Sequence, residues 1–189
     1  MKKNLFGTGL FIVIAAAVGF GQGNKSDGDN LQYKLLATTR TSTMQKEINE
    51  TAAQGYRIVV GAPTSGSEMA LFLSRDGTVA QPYQYKLLAT TRTSTMEKEL
   101  NETADGGFRL LPSTMIAKKG AFTDSVEIVL IMERAPRPTS SYHYKLLATD
   151  RTSTLQKEVT QAKDAGYKVV GMVSRDEHIV IMEREVTLP

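Results

Sequence analysis

The pattern of apolar and polar positions repeats three times along the chain, each time at the start of a predicted strand and helix. The first copy, Tyr33–Glu47, reads YKLLATTRTSTMQKE. Tyr85–Glu99 differs from it at one position, and Tyr144–Glu158 differs from it at two. Near-identity of this length within one chain indicates internal duplication, which predicts that the fold is built from one repeated supersecondary unit.

Each copy begins with alternating residues that predict a half-buried strand. Tyr33, Leu35 and Ala37 fall on one face of the first strand, and the equivalent residues do so in the other two copies. We expect this face to lie against the helix of the same copy. The opposite face then carries one large apolar residue that needs cover from elsewhere: Leu36, Leu88 or Leu147.

A helix follows each strand, and a serine with Gln or Glu three residues later predicts its first turn. This spacing fits a capping box, in which the serine oxygen accepts from a free N–H and the longer side chain reaches back. The predicted boxes are Ser42 with Gln45, Ser94 with Glu97, and Ser153 with Gln156. A glycine followed by an aromatic residue ends each helix, as a left-handed C′ residue does: Gly55-Tyr56, Gly107-Phe108 and Gly166-Tyr167.

Two further strands close each copy, and the last of them is a nearly continuous apolar run. These runs are Ala70–Leu73, Val129–Met132 and Ile179–Met182. Because a strand buried on both faces has this composition, we place it in the centre of its sheet, antiparallel to both neighbours. In the second copy, residues 113–127 before this strand are predicted to form a long loop.

The sequence therefore predicts an α+β fold of three tandem βαββ repeats, each a three-stranded antiparallel or mixed sheet with one helix on a face. The repeats span residues 31–76, 83–134 and 142–186. A unit of about 45 residues buries little core by itself. We therefore expect the repeats to pack together, in a pseudo-trimeric arrangement, or to pair with other chains.

This combination of features resembles the domain of unknown function 4177 family. The resemblance is carried in each copy by the Tyr-Lys pair of the first strand and the Gly-aromatic pair after the helix: Tyr33-Lys34 with Gly55-Tyr56, Tyr85-Lys86 with Gly107-Phe108, and Tyr144-Lys145 with Gly166-Tyr167. Members of the family usually have one copy and often a Trp after the glycine, whereas this chain has three copies and no Trp. The resemblance implies a small α+β fold and implies no activity.

Residues 1–23 are predicted to be a secretory signal peptide. Lys2 and Lys3 form a basic start, and Leu5–Phe20 is an uncharged, mostly apolar run with small residues at its end. The alternative is an uncleaved anchor, although the run is shorter than the roughly 20 residues that a spanning helix needs. Cleavage would leave an exported protein, periplasmic or extracellular, without stable insertion in the membrane.

Composition and charge exclude several kinds of chemistry and of binding partner for the chain. The chain is 41% hydrophobic, which is enough for a packed core, and it has no cysteine, which excludes disulfides, thiol chemistry and a lipid-modified N-terminal Cys. Its formal net charge is +3, and Lys2 and Lys3 supply two of those positive charges. The sequence therefore lacks the basic footprint of a nucleic-acid-binding protein.

The sequence favours a non-catalytic protein. His143 and His178 are the chain's two histidines, and neither recurs at its position in the other copies. Carboxylates do not cluster at metal-ligand spacing, and no phosphate-binding glycine loop is present, so no metal and no cofactor are predicted. If one copy carried an unrecognised catalytic site, the second copy, with Lys118 and Lys119, is the candidate.

The sharpest repeated polar motif is an arginine two residues before a serine at each predicted helix start. A helix N-terminus offers free N–H groups and a positive dipole end, so an adjacent arginine could complete an anion site. The alternative is structural: the serine caps the helix, and the arginine pairs with a nearby carboxylate. The candidate residues are Arg40, Ser42, Arg92, Ser94, Arg151 and Ser153.

These observations predict an exported binding or interaction protein whose partner is another protein or a small anionic ligand. The first alternative is a structural scaffold or oligomerisation module of the cell envelope. The second alternative is an enzyme with an unrecognised site.

Overall fold

The computed structural model describes residues 31–64, 66–77, 81–120, 125–174 and 177–187. The fold is α+β, with three antiparallel sheets of three or four strands and three helices in this part of the chain. The predicted signal peptide, residues 1–23, lies outside the described residues. No helix among the described residues is long and apolar enough to cross a membrane.

The elements form three consecutive layers, each made of one sheet and one helix. The first layer contains β1 (Gln32–Thr38), α1 (Thr41–Ala52), β2 (Arg57–Pro63) and β3 (Met69–Arg75). The second contains β4 (Gln84–Thr90), α2 (Thr93–Asp105), β5 (Arg109–Leu110), a 3₁₀ turn (Pro112–Thr114), β6 (Ile116–Lys119) and β7 (Val126–Arg134). The third contains β8 (Ser140–Thr149), α3 (Thr152–Asp164), β9 (Lys168–Ser174) and β10 (His178–Thr187).

The last strand of each layer lies in the centre of its sheet, as the apolar runs predict. The strand orders are β1-β3-β2, β4-β7-β5 and β8-β10-β9, and all pairings are antiparallel. The long loop predicted over residues 113–127 is wrong in part. The 3₁₀ turn and β6 occupy much of it, and β6 pairs with β7 as a fourth strand.

The predicted orientation of the first strands is also wrong. Leu36, Leu88 and Leu147 are buried against the helix of their own layer, where they join its apolar residues. The tyrosine face points the other way, so it is covered by its own helix in none of the three layers. In β4 and β8, a neighbouring layer buries that face, whereas in β1 it is exposed.

The layers pack in chain order, and α1 and α2 each lie between their own sheet and the next. One core joins α1 residues such as Met44 and Ile48 to the second sheet, through Tyr85 and Ile131. The next core joins α2 to the third sheet in the same way. The third core contains residues of the third layer alone, including Leu147 and Val159. Two of the helices are therefore sandwiched, and α3 has one sheet to pack against.

An arginine at the end of each central strand ties the helix C-terminus to the sheet. Arg75 Nη1 donates to the Gln54 carbonyl oxygen at 3.0 Å, and its guanidinium lies 4.8 Å from the centre of the Tyr56 ring. Arg134 and Arg184 repeat both contacts in the later layers. A cation at this place offsets the negative end of the helix dipole. The glycine directly before each of these aromatic residues has the positive φ that the sequence predicts: Gly55 86°, Gly107 81° and Gly166 87°.

The predicted capping boxes do not form. The helices begin at Thr41, Thr93 and Thr152, one residue before each serine, and an arginine without a side-chain capping bond stands at the N-cap. The serines therefore lie inside the first turn. Gln45 and Glu97, assigned to two of the boxes, instead make contacts that join the layers, whereas Gln156 contacts Thr160 on its own helix.

Candidate functional site

Arg57, Glu133 and Tyr85 form a hydrogen-bonded triad between the first and second layers. Arg57, on β2, donates from Nη2 to Glu133 Oε1 at 2.6 Å and from Nε to Oε2 at 3.0 Å. The Tyr85 hydroxyl donates to Glu133 Oε2 at 2.7 Å and accepts from the Ile58 N–H at 3.3 Å. The Arg57 guanidinium also stacks 4.2 Å from the centre of the Tyr83 ring. A bidentate pair of this kind fixes orientation as well as contributing free energy.

Arg109, Glu183 and Tyr144 make the same triad between the second and third layers. Arg109 Nη2 donates to Glu183 Oε1 at 2.8 Å, and the Tyr144 hydroxyl donates to Glu183 Oε2 at 2.9 Å. The Leu110 N–H donates to that hydroxyl at 2.8 Å. Both glutamates are buried, and each has an arginine and a tyrosine to satisfy its carboxylate.

The surroundings of the tyrosines and arginines in the triads shift the pKa values of these groups in directions that favour the packed state. Burial raises the pKa of the Tyr85 and Tyr144 hydroxyls well above the ordinary value, and the neighbouring glutamates raise it further. The hydrogen bonds from Arg57 and Arg109 to the glutamates raise the pKa of both guanidinium groups. The tyrosines therefore stay neutral and the arginines stay charged while the layers are packed.

We predict that the free energy of unfolding falls as the pH rises above about 10, the ordinary pKa of tyrosine. A pKa that is raised in the folded state contributes stability that is complete below the unfolded value and is lost as the pH rises through the folded value. Urea denaturation between pH 8 and pH 12 measures this loss. The double variant Y85F/Y144F should show a shallower decline in alkali, whereas Y33F, at an exposed site, should follow the wild type. An unchanged slope in the double variant would contradict the assignment.

Side chains of each sandwiched helix also bind the backbone edge of the next sheet. Gln45 donates to the Tyr85 carbonyl oxygen at 3.1 Å and accepts from the Leu87 N–H at 2.7 Å. In the second layer, Asn101 bonds both the N–H and the carbonyl of Tyr144, and Glu97 accepts from the Leu146 N–H at 2.8 Å. These contacts satisfy backbone groups on the free edge of a sheet, which would otherwise bind water.

The two ends of the stack present faces that the interior layers bury. At one end, the outer face of the first sheet exposes Tyr33 by 63% and Phe72 by 47%. At the other end, the third layer exposes Val169 by 53% and Met172 by 61%. We call these surfaces the sheet end (Tyr33, Leu35, Val60 and Phe72) and the helix end (Leu155, Val159, Val169 and Met172).

The triad residues change at both ends. Tyr33 pairs in register with Ser74, at the place where Tyr85 faces Glu133 and Tyr144 faces Glu183. Lys168 takes the register position of Arg57 and Arg109, opposite the central strand. The sheet end therefore lacks the carboxylate, and the helix end carries an exposed lysine in place of the arginine.

The residues predicted for anion binding lie at the helix starts but not in a common site. Arg40, Arg92 and Arg151 occupy the N-cap positions and are exposed. Ser42 and Ser94 line open grooves of about 560 and 510 Å³ between a helix and the next sheet, whose walls also carry carboxylates: Glu99 and Glu102 in one, Glu97 and Glu158 in the other. Ser153 is exposed on α3. Anion binding stays a prediction.

The residues considered for catalysis have structural surroundings. His143 and His178 lie on β8 and β10, as ordinary strand residues. Lys118 is buried, and its ammonium group lies 2.8 Å from the Glu127 carboxylate on the neighbouring strand. No group of three or more His, Asp or Glu residues within the described ranges could hold a metal ion.

Sequence reasoning missed the triads, although a signal for them was present. Glu133 and Glu183 precede the repeated arginines Arg134 and Arg184, and a charged residue in a central apolar strand needs a partner. The pattern is broken in the first copy, where Ser74 precedes Arg75. That break marks the layer whose outer face is uncovered.

The comparisons with known proteins add no relative. No family model, curated protein or solved structure matches this chain.

Proposed function

We propose that this chain is an exported, non-catalytic interaction protein of the cell envelope or exterior, built of three tandem βαββ units. The resemblance to the domain of unknown function 4177 family belongs to the same proposal. The near-identical strand and helix segments support a tandem origin, as do the equal strand order and the equivalent register of the three tyrosines. The basic and apolar N-terminus supports export.

The observation that carries the interaction role is the exposed sheet end. Tyr33, Leu35, Val60 and Phe72 lie on one face of the first sheet, and each is more than two-fifths exposed. Soluble monomers rarely expose contiguous apolar patches of several large side chains unless the patch binds something. The equivalent faces of the second and third sheets are buried by a neighbouring layer, so this surface has the composition of an interface.

A photo-crosslinking residue placed at position 72 tests the interaction role in intact cells. We expect covalent adducts to form from this position, in the exported fraction, with whatever protein covers the sheet end. The matched control is the same residue at Lys46, which lies on the solvated face of α1 in an exposed ion pair with Glu50. Absence of adducts at position 72 above the level at position 46 would contradict the proposal.

Export is tested by the intact mass of the chain recovered outside the cytoplasm. We expect a mass that lacks the apolar segment through Phe20. A mass that retains the N-terminus would instead indicate an anchor.

A further inference from the structure

We propose that the sheet end of one copy binds the helix end of another, so that chains assemble head to tail. This inference rests on the proposed interaction role and names its partner as a second copy of this chain. The reason is that the chain already makes this type of interface twice within itself. The sheet end and the helix end are the two sides of a third interface of this type, which one chain alone does not form.

The sheet end matches the surfaces that are buried inside the stack. Tyr33, Leu35 and Ala37 are identical to the Tyr, Leu and Ala of β4 and β8, which pack against α1 and α2. Phe72 takes the register position of Ile131 and Ile181, since all three pair with the leucine of the first strand. Ile131 and Ile181 are fully buried by the preceding layer. A helix from another chain would bury the same face of β1.

The helix end supplies the other half of that interface. Leu155 and Val159 hold the helix positions at which Met96 and Leu100 are fully buried under the third sheet. Val169 takes the register position of Ile58 and Leu110, which are 6% and 1% exposed where a next layer covers them. With no next layer, Val169 is more than half exposed, so a covering sheet is what this end lacks.

The polar contacts that join the internal layers have donors and acceptors at both ends. β1 is an edge strand, and by register its Tyr33 and Leu35 backbone groups correspond to the Tyr85 and Leu87 groups that bind Gln45. Gln156 on α3 holds the sequence position of Gln45, and its amide contacts Thr160 on its own helix. A second copy would offer Gln156 the edge of β1, and the Gln156 amide would then satisfy backbone groups of that strand, as Gln45 does for β4.

The contact between two copies should be weaker than the interfaces between layers within one chain, because it lacks their arginine–glutamate pair. Ser74 and Lys168 replace the glutamate and the arginine together, so pairing leaves no carboxylate buried without a cation. The contact also gains no ion pair, and we expect assembly to depend on concentration. Because the two surfaces differ, the contact is heterologous and produces a closed ring or an open filament according to its rotation.

Sedimentation velocity of the exported chain across a concentration series tests the proposal, using two variants that each disable one end. F72D places a charge on the sheet end, and M172D places one on the helix end. Both positions are exposed, so circular dichroism should show folded chains. We expect the wild type to form dimers and larger species as the concentration rises, while each variant alone stays monomeric. The control K46E, on the solvated face of α1, should assemble as the wild type does.

Mixing the two variants gives the decisive result. F72D keeps an intact helix end and M172D an intact sheet end, so an equal mixture should form a 1:1 dimer, about twice the monomer mass, and nothing larger. A wild type that remains monomeric at all concentrations, or a mixture that forms no dimer, overturns the inference. If position 72 still crosslinks to a different protein in cells, the interaction role stands and the second-copy partner falls. If it crosslinks to nothing, both fail.

Discussion

Replacing Met96 with alanine is expected to lower the free energy of unfolding by about 3 kcal/mol, within the usual range for a buried methionine. Met96 is fully buried because α2 lies between the second and third sheets. Truncation would therefore leave a cavity walled on both sides by sheet residues, with little room to collapse.

The matched control is L155A, at the same position of α3. Leu155 is partly buried and packs against the third sheet alone, so we expect its loss to cost about 1 kcal/mol, mainly through lost apolar contact. Urea denaturation curves at a concentration where the chain is monomeric give both values. Equal losses at the two positions would mean that α3 is covered within the monomer. That result would contradict an open stack, in which the outer face of the first sheet and α3 are each left uncovered by another layer.

Replacing Arg109 with alanine is expected to cost about 2 kcal/mol. Glu183 would then keep Tyr144 as a partner but lose its cation, and a buried carboxylate without a cation is strongly destabilising. We place the cost below the upper part of that range because the Arg109 side chain is 52% exposed, so water screens the pair and can partly replace it.

The control is K168A, at the equivalent position of the third layer. Lys168 faces solvent at the uncovered end, so its loss should change stability by less than about 0.5 kcal/mol in the monomer. Guanidinium chloride would screen the ion pair, so the comparison is made in urea. If R109A and K168A behaved alike, the triad would contribute no net stability between the layers.

The topology of each layer could be predicted from the sequence because its signals are local. The last strands are continuous apolar runs, which places them in the sheet centre, and the glycines after the helices adopt the expected positive φ. The positive φ of Gly55 and its counterparts can be predicted without knowing how the neighbouring layers pack. The same holds for the buried methionines Met44 and Met96, which fall on the apolar face of their helices.

The direction of the first strand could not be predicted in this way. Both faces of β1 carry leucine, and counting apolar residues favours the tyrosine face as the covered one. In β4 and β8 the tyrosine face is indeed covered, but by the helix of the preceding layer. In none of the three layers is it covered by the helix of the same layer, which is the cover that the sequence predicts. Three copies with nearly the same strand sequence have different burial because only stacking decides which faces are covered.

The predicted helix caps failed for a related reason. Ser42 and Gln45 have the spacing of a capping box, but the Gln45 side chain binds the edge of β4 rather than the backbone at the start of its own helix. A local rule assigns such a residue to the nearest backbone, whereas here the binding partner is some forty residues further along the chain. The triads were not predicted for the same reason, since Arg57 and Glu133 are distant in sequence.

Hydrogen exchange of the Leu35, Leu87 and Leu146 amides tests the open stack most directly. These amides hold the same register position on β1, β4 and β8, within almost identical sequences. The Leu87 N–H donates to Gln45 and the Leu146 N–H donates to Glu97, whereas no helix side chain among the described residues accepts from the Leu35 N–H. In the dilute monomer we expect slow exchange at Leu87 and Leu146 and fast exchange at Leu35. Equal protection of all three amides would mean that α3 closes over β1 within one chain, which would contradict the open stack.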